Sequence, residues 1–240
     1  SRGLGDVYKR QDLQEAFELE IAQLDSNLTK PTTSDIEYWL TAGLIKFIKT
    51  RYSGINFKQT GFEQDQKRID DLRGLVTRKS YQFTTYPEEY TVTLPEDYMT
   101  TLGETAVIFS YDHCWPVGPS GQPRTKNTDV LEATVENIDR QRQNTLSEYR
   151  LHGRSARPLR LYEGNTIHLY TDGNYHIRNY ILTYLRIPNK ISLTDAPFEE
   201  YKDMPASTHD EIVKLAVELY LENEANPRYQ SYINEVNSME

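Results

Sequence analysis

Residues 159–187, LRLYEGNTIHLYTDGNYHIRNYILTYLRI, decide the fold class, because runs of strand-forming residues are separated there by two turn signals. The first signal, EGN at 163–165, lies between the runs at 159–162 and 166–170. The second, DGN at 172–174, precedes a run that continues to Ile187. An Asp-Gly pair favours a tight hairpin turn. The stretch therefore predicts an antiparallel meander of three strands.

The last of these strands is apolar on both faces. Alternation places Tyr180, Leu182 and Tyr184 on one face. The opposite face then carries Ile177, Ile181 and Leu185. A sheet of this kind is covered on both sides, so we expect the rest of the chain or a neighbouring subunit to pack on each face.

Further strand candidates lie upstream of the meander. Runs rich in aromatic and β-branched residues occur at 81–86, 90–94, 105–111 and 130–135. The segment 114–123 contains three prolines and two glycines and is predicted to be a loop. We therefore predict an antiparallel β-rich domain over residues 81–204.

The N-terminal third has helical periodicity. Leu13, Phe17 and Ile21 recur at helical spacing, and Ser34 with Glu37 forms a capping-box pattern before a second apolar stripe. That helix is predicted to end near Ser53, where Gly54 suits a helix terminus. A third helix is predicted to open at residues 60–63 and to run to Val76.

The C-terminal region is also helical. Ser207 with Asp210 forms a second capping-box pattern, and Ile212, Ala216 and Leu219 follow on one face. A helical stripe needs a partner to bury it, so we expect this helix to return to the N-terminal helices. The predicted fold is α+β: a helical bundle over 12–80 and 205–240, with the antiparallel β-sheet domain inserted between its helices.

The first eleven residues, SRGLGDVYKRQ, resemble the translation of a transposon-end sequencing adapter. We interpret residues 1–11 as a cloning or assembly scar on a gene from metagenomic DNA, and exclude them from the predicted fold. The alternative is a natural terminus without a function.

Composition and charge limit the classes of protein to which this chain can belong. With 26% charged residues, short apolar runs and no secretory leader, we expect a soluble chain without a membrane partner, and its single cysteine fits a reducing compartment. The net charge of −9 argues against wholesale wrapping of nucleic acid. It is distributed unevenly: residues 140–160 contain six arginines and one acid, whereas residues 195–240 contain eleven acids and three bases.

The sequence contains no phosphate-binding loop, dinucleotide fingerprint or serine elbow. We therefore predict a protein that is not an enzyme, with no catalytic, cofactor-binding or metal residues. Cys114 beside His113 is interpreted as a buried structural cysteine next to Trp115. His168 and His176 are expected on strands facing each other across the turn at 172–174, and His209 at a helix start.

The candidate contact residues are the arginines of the segment 140–160, which we call the arginine-rich segment. Guanidinium groups recognise carboxylates and phosphates, so these side chains would contact acidic surfaces of neighbouring subunits or DNA; an ordinary basic loop is the alternative. The six are Arg140, Arg142, Arg150, Arg154, Arg157 and Arg160. Eighteen tyrosines, a residue type enriched at interfaces, also suggest an assembly protein.

Several stretches resemble the head–tail connector or neck ring proteins of crAss-like tailed bacteriophages. They are DIEYWLTAGLIKF (35–47), TRYSG (50–54), SEYRLHG (147–153), ARPLRLY (156–162), LYTDGNY (169–175), YILTYLRIP (180–188) and HDEIVKLAV (209–217). The resemblance covers nearly all of residues 12–240 and includes no catalytic motif.

The resemblance implies a structural virion protein. Such a protein forms a closed, dodecameric homo-oligomeric ring between portal protein and tail, and extends the channel for double-stranded DNA. Its other partners are neck and tail proteins, and it is assembled in the host cytoplasm. The alternatives are a tail or baseplate adaptor, or a phage-encoded hydrolase or nuclease that uses His113 and Cys114, or His209.

Overall fold

The computed structural model describes residues 9–24, 30–53, 66–194, 199–224 and 229–238. It confirms the α+β class, and the chain divides into two compact units. The helical unit comprises the described residues up to 75 and from 188 onward, and the β unit comprises residues 76–187.

The elements are numbered in chain order. The helices are α1 (Arg10–Leu24), α2 (Thr33–Ser53), α3 (Gln66–Leu72), α4 (Ile138–Gln143), α5 (His209–Asn223) and α6 (Tyr229–Ser238). The strands are β1 (Val76–Gln82), β2 (Glu89–Thr93), β3 (Tyr98–Phe109), β4 (Lys126–Asp129), β5 (Leu131–Glu132), β6 (Leu159–Glu163), β7 (Thr166–Tyr170) and β8 (His176–Arg186).

In the helical unit, α5 packs against both α1 and α2. The ring of Tyr220 meets those of Phe17 and Trp39 edge-on, each at 6.1 Å between centroids. The backbones of α2 and α5 come close at Gly43, where an added Cβ would lie 2.8 Å from the backbone nitrogen of Ala216. The apolar side of α5 is thus buried against the N-terminal helices.

The starts of two helices differ from the predicted capping boxes. Thr32, not Ser34, caps α2: its Oγ1 accepts the backbone N–H of Asp35 at 3.3 Å, and its backbone nitrogen donates to Asp35 Oδ2 at 3.0 Å. Glu37 instead accepts the backbone N–H groups of Leu193 and Thr194, at 2.6 and 2.9 Å. The cap residue of α5 is Thr208 rather than Ser207, because a 3₁₀ turn precedes the helix.

The unit boundaries also differ from the predicted ones at 80/81 and 204/205. Residues 76–80, predicted to be helical or linking, pair with β8 and start the β unit. The third helix is short, and its predicted start at 60–63 lies outside the described residues. The irregular segment 188–194 belongs to the helical unit, where Ile191 and Leu193 are buried. Burial of an irregular segment leaves no periodic signal in the sequence.

Residues 9–11, which the sequence analysis excluded, are also part of the helical unit. The backbone nitrogen of Arg10 donates to the carbonyl of Glu199 at 3.0 Å, and Lys9 forms a β-bridge with Glu200. The amide of Gln11 donates to Glu15 one turn along α1. Residues 1–8 lie outside the described residues.

Asp203 lies close to the end of the first segment of the helical unit and to the start of the second segment. A Cβ added at Gly74, next to the last residue of the first segment, would lie 2.7 Å from the carbonyl oxygen of Asp203. At the start of the second segment, the backbone nitrogen of Asn189 donates to Asp203 Oδ2 at 2.7 Å. Asp203 therefore lies close to both places where the chain passes to and from the β unit, and it is bonded to one of them, Asn189.

The β unit is a sandwich of two four-stranded sheets. The first sheet has the order β1-β8-β3-β4 and the second β2-β7-β6-β5, with all pairs antiparallel except β5 and β6. One buried cluster joins the inner faces: Ile108, Ile177 and Leu182 come from the first sheet, and Val92 and Leu169 come from the second.

The predicted three-strand meander is only half correct. β6 and β7 form the predicted hairpin across Gly164, whose φ of 57° suits glycine. β7 and β8, however, lie in different sheets, so the turn at 172–174 carries the chain across the sandwich. The Asp172 carboxylate fixes this crossing by accepting the backbone N–H groups of Leu151 and Asn174 at 2.8 and 3.0 Å.

The predicted division of β8 into two faces is altered by a bulge. Val107 of β3 pairs with Asn179, but the next residue, Ile108, pairs with Ile177, so Arg178 is an extra residue. The bulge brings Ile177 onto the same inner face as Tyr180. A bulge cannot be deduced from alternation alone.

Candidate functional site

A carboxylate lies between the two sheets of the β unit. Glu104 of β3, with a side chain only 6% exposed, accepts the Nε–H of Arg160 at 2.9 Å. Its other oxygen accepts the hydroxyls of Tyr162 and Tyr180 at 2.8 and 2.7 Å. We call these four residues the buried carboxylate cluster. They come from β3, β6 and β8, so the cluster ties one sheet to the other.

The tyrosines of the cluster remain protonated donors. Burial raises the pKa of Tyr162 and of Tyr180, and the neighbouring Glu104 charge raises both further. The guanidinium of Arg160 also lies 4.2 Å from the ring centroid of Tyr162. A carboxylate with one cation and two hydroxyl donors is satisfied where it lies, so the chemistry of this cluster is structural.

Other tyrosine hydroxyls of the β unit also bind internal groups. The hydroxyl of Tyr175 donates to the carbonyl of Tyr149 at 3.0 Å, and the hydroxyl of Tyr149 donates to the carbonyl of Thr171. The hydroxyl of Tyr184 donates to Asp97, and burial raises the pKa of Tyr184 to about 12. Much of the tyrosine content therefore serves the interior of the sandwich, whereas the sequence analysis assigned it to interfaces.

Two of the six candidate arginines bind acids within the β unit. Arg160 is 8% exposed, and besides Glu104 it approaches Glu132 at 3.6 Å. Arg157 pairs with Glu148 at 2.7 Å. The sequence analysis grouped these side chains with the others because spacing does not show which arginines are buried.

The other four lie nearer the surface. Arg150 donates to the carbonyl of Arg142 at 2.9 Å, and Arg154 donates to the carbonyl of Cys114 at 3.1 Å. The guanidinium of Arg142 stands 4.9 Å from the centroid of the Tyr170 ring. Arg140, Arg142 and Arg154 are exposed. These three side chains remain the accessible cations of the arginine-rich segment.

Arg142 and Arg150 line a polar cleft of about 400 Å³. Its other charged residues are Glu88, Asp139 and Asp172. The mixture of two cations and three carboxylates gives the cleft no strong preference for an anion. Tyr149 and Thr171 also line the cleft, and the hydroxyl of Tyr149 donates to the carbonyl of Thr171.

The cysteine and histidines occupy separate environments. Cys114 is exposed, which corrects the prediction of a buried structural cysteine; the buried neighbour is Trp115, whose indole N–H donates to the carbonyl of Arg124 at 2.6 Å. His209 is 2% exposed in the helical unit, and burial lowers its pKa. The described residues include no group of three His, Cys, Asp or Glu side chains arranged to hold a metal ion.

The two strand histidines do not face each other, because the turn between them crosses from sheet to sheet. His168 Nδ1 lies 2.8 Å from Glu89 on the neighbouring strand β2. His176 belongs to an aromatic cluster with Tyr86, Phe109 and Tyr111, at centroid distances of 5.4, 5.5 and 6.2 Å. Burial lowers the pKa of His176.

Sequence reasoning missed Glu104, the central residue of the buried cluster. One signal was present: a single acid stands in the middle of the run TTLGETAVIF at 100–109, where strand-forming residues predominate. An acid at such a position is either exposed or paired within the core, and alternation could not decide between them beside the irregular pairing at Gly103.

None of the helices in the described part of the chain is long and apolar enough to cross a membrane. Compared with known proteins, the chain matches no protein-family model, and no curated protein matches it.

Proposed function

We propose that the chain is a non-enzymatic structural subunit of a tailed-phage virion, which forms a ring at the head–tail junction, connects the portal to the tail and extends the DNA channel. The observation that carries the proposal is how the β unit uses its polar side chains. Glu104 accepts hydrogen bonds from Arg160 and Tyr180 inside the sandwich, while Arg140, Arg142 and Arg154 remain on its surface.

The exposed arginines provide one kind of subunit contact. Arg140 and Arg142 project from α4, and Leu146, which follows α4, is 86% exposed. Arginine beside an exposed apolar side chain is a common composition for a protein interface. The acidic sequence after residue 195 offers the complementary charge for a neighbouring copy.

The arrangement that we propose is a helical bundle with the β-sheet domain inserted between its segments. In a ring, the two units would contact different neighbours: one would meet adjacent copies, and the other would meet portal or tail proteins. The resemblance of residues 35–54 and 147–188 to connector proteins supports this division, since the first stretch lies in the helical unit and most of the second in the β unit.

The test is the assembly state of the purified chain, alone and mixed with its portal protein. Mass photometry and negative-stain microscopy are expected to show closed rings of twelve copies that bind portal. A chain that stays monomeric and ignores portal would overturn the proposal. Alanine at Cys114 or His209 is expected to leave assembly unchanged, and loss of a hydrolytic activity in either variant would favour an enzyme.

The role of the arginines is tested by charge reversal. Arg140→Glu with Arg142→Glu is expected to weaken ring formation in the absence of DNA, because the contact is between subunits. Matched reversal of Lys190, an exposed lysine of the helical unit that precedes the acidic sequence, is the control. Normal rings that retain less DNA would assign these arginines to the channel instead.

A further inference from the structure

The surface of the helical unit contains a groove between α2 and α5. The groove is about 460 Å³, and its apolar floor consists of Ala42, Ile45 and Leu219. All three side chains are partly exposed, although they lie beside the buried stripe of α2. A groove with an apolar floor along a helix pair suits the side chains of another helix.

The rim of the groove is cationic. Lys46 and Lys49 lie on α2 one turn after Ala42 and Ile45, respectively, and both line the groove. The ammonium of Lys46 binds the buried carboxylate of Glu218 at 2.8 Å while its side chain stays 36% exposed. Lys49 is exposed. An ammonium has three donors, so both lysines can donate a hydrogen bond to a carboxylate of another copy.

The outer face of α1 has the opposite character. Residues 11–24 contain four acids, at positions 12, 15, 18 and 20, and no base. Glu15 and Glu18 are exposed, and each accepts a hydrogen bond from the glutamine four residues before it, at 3.1 and 2.8 Å. Leu19 lies beside them and is 62% exposed. The face therefore presents one apolar side chain among carboxylates.

We propose that α1 of one copy docks in the α2–α5 groove of a second copy, with Leu19 on the floor of Ala42, Ile45 and Leu219. Glu15 and Glu18 then meet Lys49 and Lys46 at the rim. The contact joins two different surfaces of the same chain, and such a head-to-tail contact forms a ring when its rotation closes. The inference rests on the proposed function and names the surfaces that would build the ring.

Charge reversal tests the contact in both directions. Glu15→Lys gives a copy whose α1 presents an ammonium to Lys49 of the groove, and Lys49→Glu gives a copy whose groove presents a carboxylate to Glu15. Each variant alone is expected to raise the concentration needed for assembly about tenfold or more, because each brings like charges together at every interface. Mass photometry across a dilution series measures this change.

Rescue distinguishes docking from a general loss of folding. The double variant carries both changes on one chain, restores opposite charges at this pair and is expected to recover assembly. An equimolar mixture of the two separate variants is also expected to assemble, in alternation, because the introduced lysine of one variant meets the introduced carboxylate of the other, and Glu15 of the second meets Lys49 of the first. Glu96→Lys and Lys190→Glu are matched reversals at other exposed positions and are expected to leave assembly unchanged.

A crosslink tests the apolar contact independently of charge. The exposed Cys114 is first replaced by serine. Cysteines introduced at Leu19 and Ile45 are then expected to form disulfides between copies on mild oxidation, which gives a ladder of covalent oligomers. Cysteines at Val117, an exposed residue of the β unit, and at Ile45 are the control and are expected to remain unlinked.

The outcomes separate the two proposals. Wild-type rings that show no dependence on the reversals and no crosslink overturn the α1 contact and leave the ring intact. A wild-type chain that stays monomeric with portal overturns both.

Discussion

The helical unit neutralises the buried Arg51 with carboxylates, whereas the β unit surrounds a buried carboxylate with tyrosine hydroxyls. In the helical unit, Arg51 is 3% exposed and pairs with Asp71 at 3.3 Å and with Glu211. In the β unit, Glu104 has one cation and two hydroxyl donors. The two arrangements differ because helices supply the side chains in one unit and strands supply them in the other.

Helices and strands place polar groups differently. The helical pairs join α2 to α3 and α5, and long charged side chains reach across the space between helices. Between packed sheets the space is filled by side chains from two inner faces, and tyrosine adds a polar end to a large apolar ring. The abundance of tyrosine in this chain therefore indicates a sandwich interior as well as any interface.

The largest expected effect is loss of the β unit's central carboxylate. Glu104→Ala leaves the guanidinium of Arg160 buried without its main partner, so the free energy of unfolding is expected to fall by about 3–5 kcal/mol. Urea denaturation measures the change. The side chain of Glu132, the other carboxylate near Arg160, is 73% exposed. Glu132→Ala is therefore expected to lower the free energy of unfolding far less. Equal costs would mean that Glu104 is not the anchor.

Removal of one hydroxyl tests whether the tyrosines share the carboxylate. Tyr180→Phe keeps the buried ring but removes a donor to Glu104, and is expected to destabilise the β unit by about 1.5–3 kcal/mol, as for a hydrogen bond to a charged group. Tyr111→Phe, at an exposed position, is the matched control. A neutral Tyr180→Phe would weaken the contrast between the two units, since the Tyr180 hydroxyl would then add nothing to the stability of the buried carboxylate.

Close helix contact is tested at Gly43. An added methyl would stand 2.8–2.9 Å from atoms of Ala216, so Gly43→Ala is expected to push α2 from α5 and to cost about 1–3 kcal/mol. Gly103→Ala, on β3 of the β unit, meets nothing within 4 Å and is expected to be neutral or slightly stabilising. Thermal unfolding of both variants checks the contrast, and a stable Gly43→Ala would contradict the close approach.

The smallest expected effect is a difference in acid sensitivity. Burial lowers the pKa of His209 and of His176 below the ordinary 6.5. The unfolded chain then binds more protons than the folded one, so the stabilisation is present above pH 6.5 and is lost as the pH falls below it. His209 is the more buried, beside Tyr201, Glu200 and Asp210.

Denaturant midpoints between pH 7.5 and 5.5 measure this dependence. His209→Gln is expected to flatten the fall in stability of the helical unit more than His176→Gln flattens that of the β unit. Unchanged slopes in both variants would show that other groups cause the acid sensitivity.

The sequence predicts the elements whose patterns are local. The stripes of α1, α2 and α5 and the hairpin at Gly164 follow from spacing and turn chemistry. The crossing at Asp172 and the bulge at Arg178 depend on which sheet each strand joins, which is a long-range choice. The same limit applied to the candidate site: the six arginines looked equivalent in sequence, and only packing separates buried Arg160 from exposed Arg140.

The β unit begins and ends on neighbouring strands, since Val76 of β1 pairs with Leu185 of β8. Its entry and exit are therefore separated by about the 5 Å between paired strands, a gap that two or three glycines can span. Residues 76–187 thus form a cassette that can be excised or exchanged without stretching the chain that remains. Asp203, whose carboxylate accepts the backbone N–H of Asn189 on the other side of the junction, would hold that end of the splice site in place for any substitute domain.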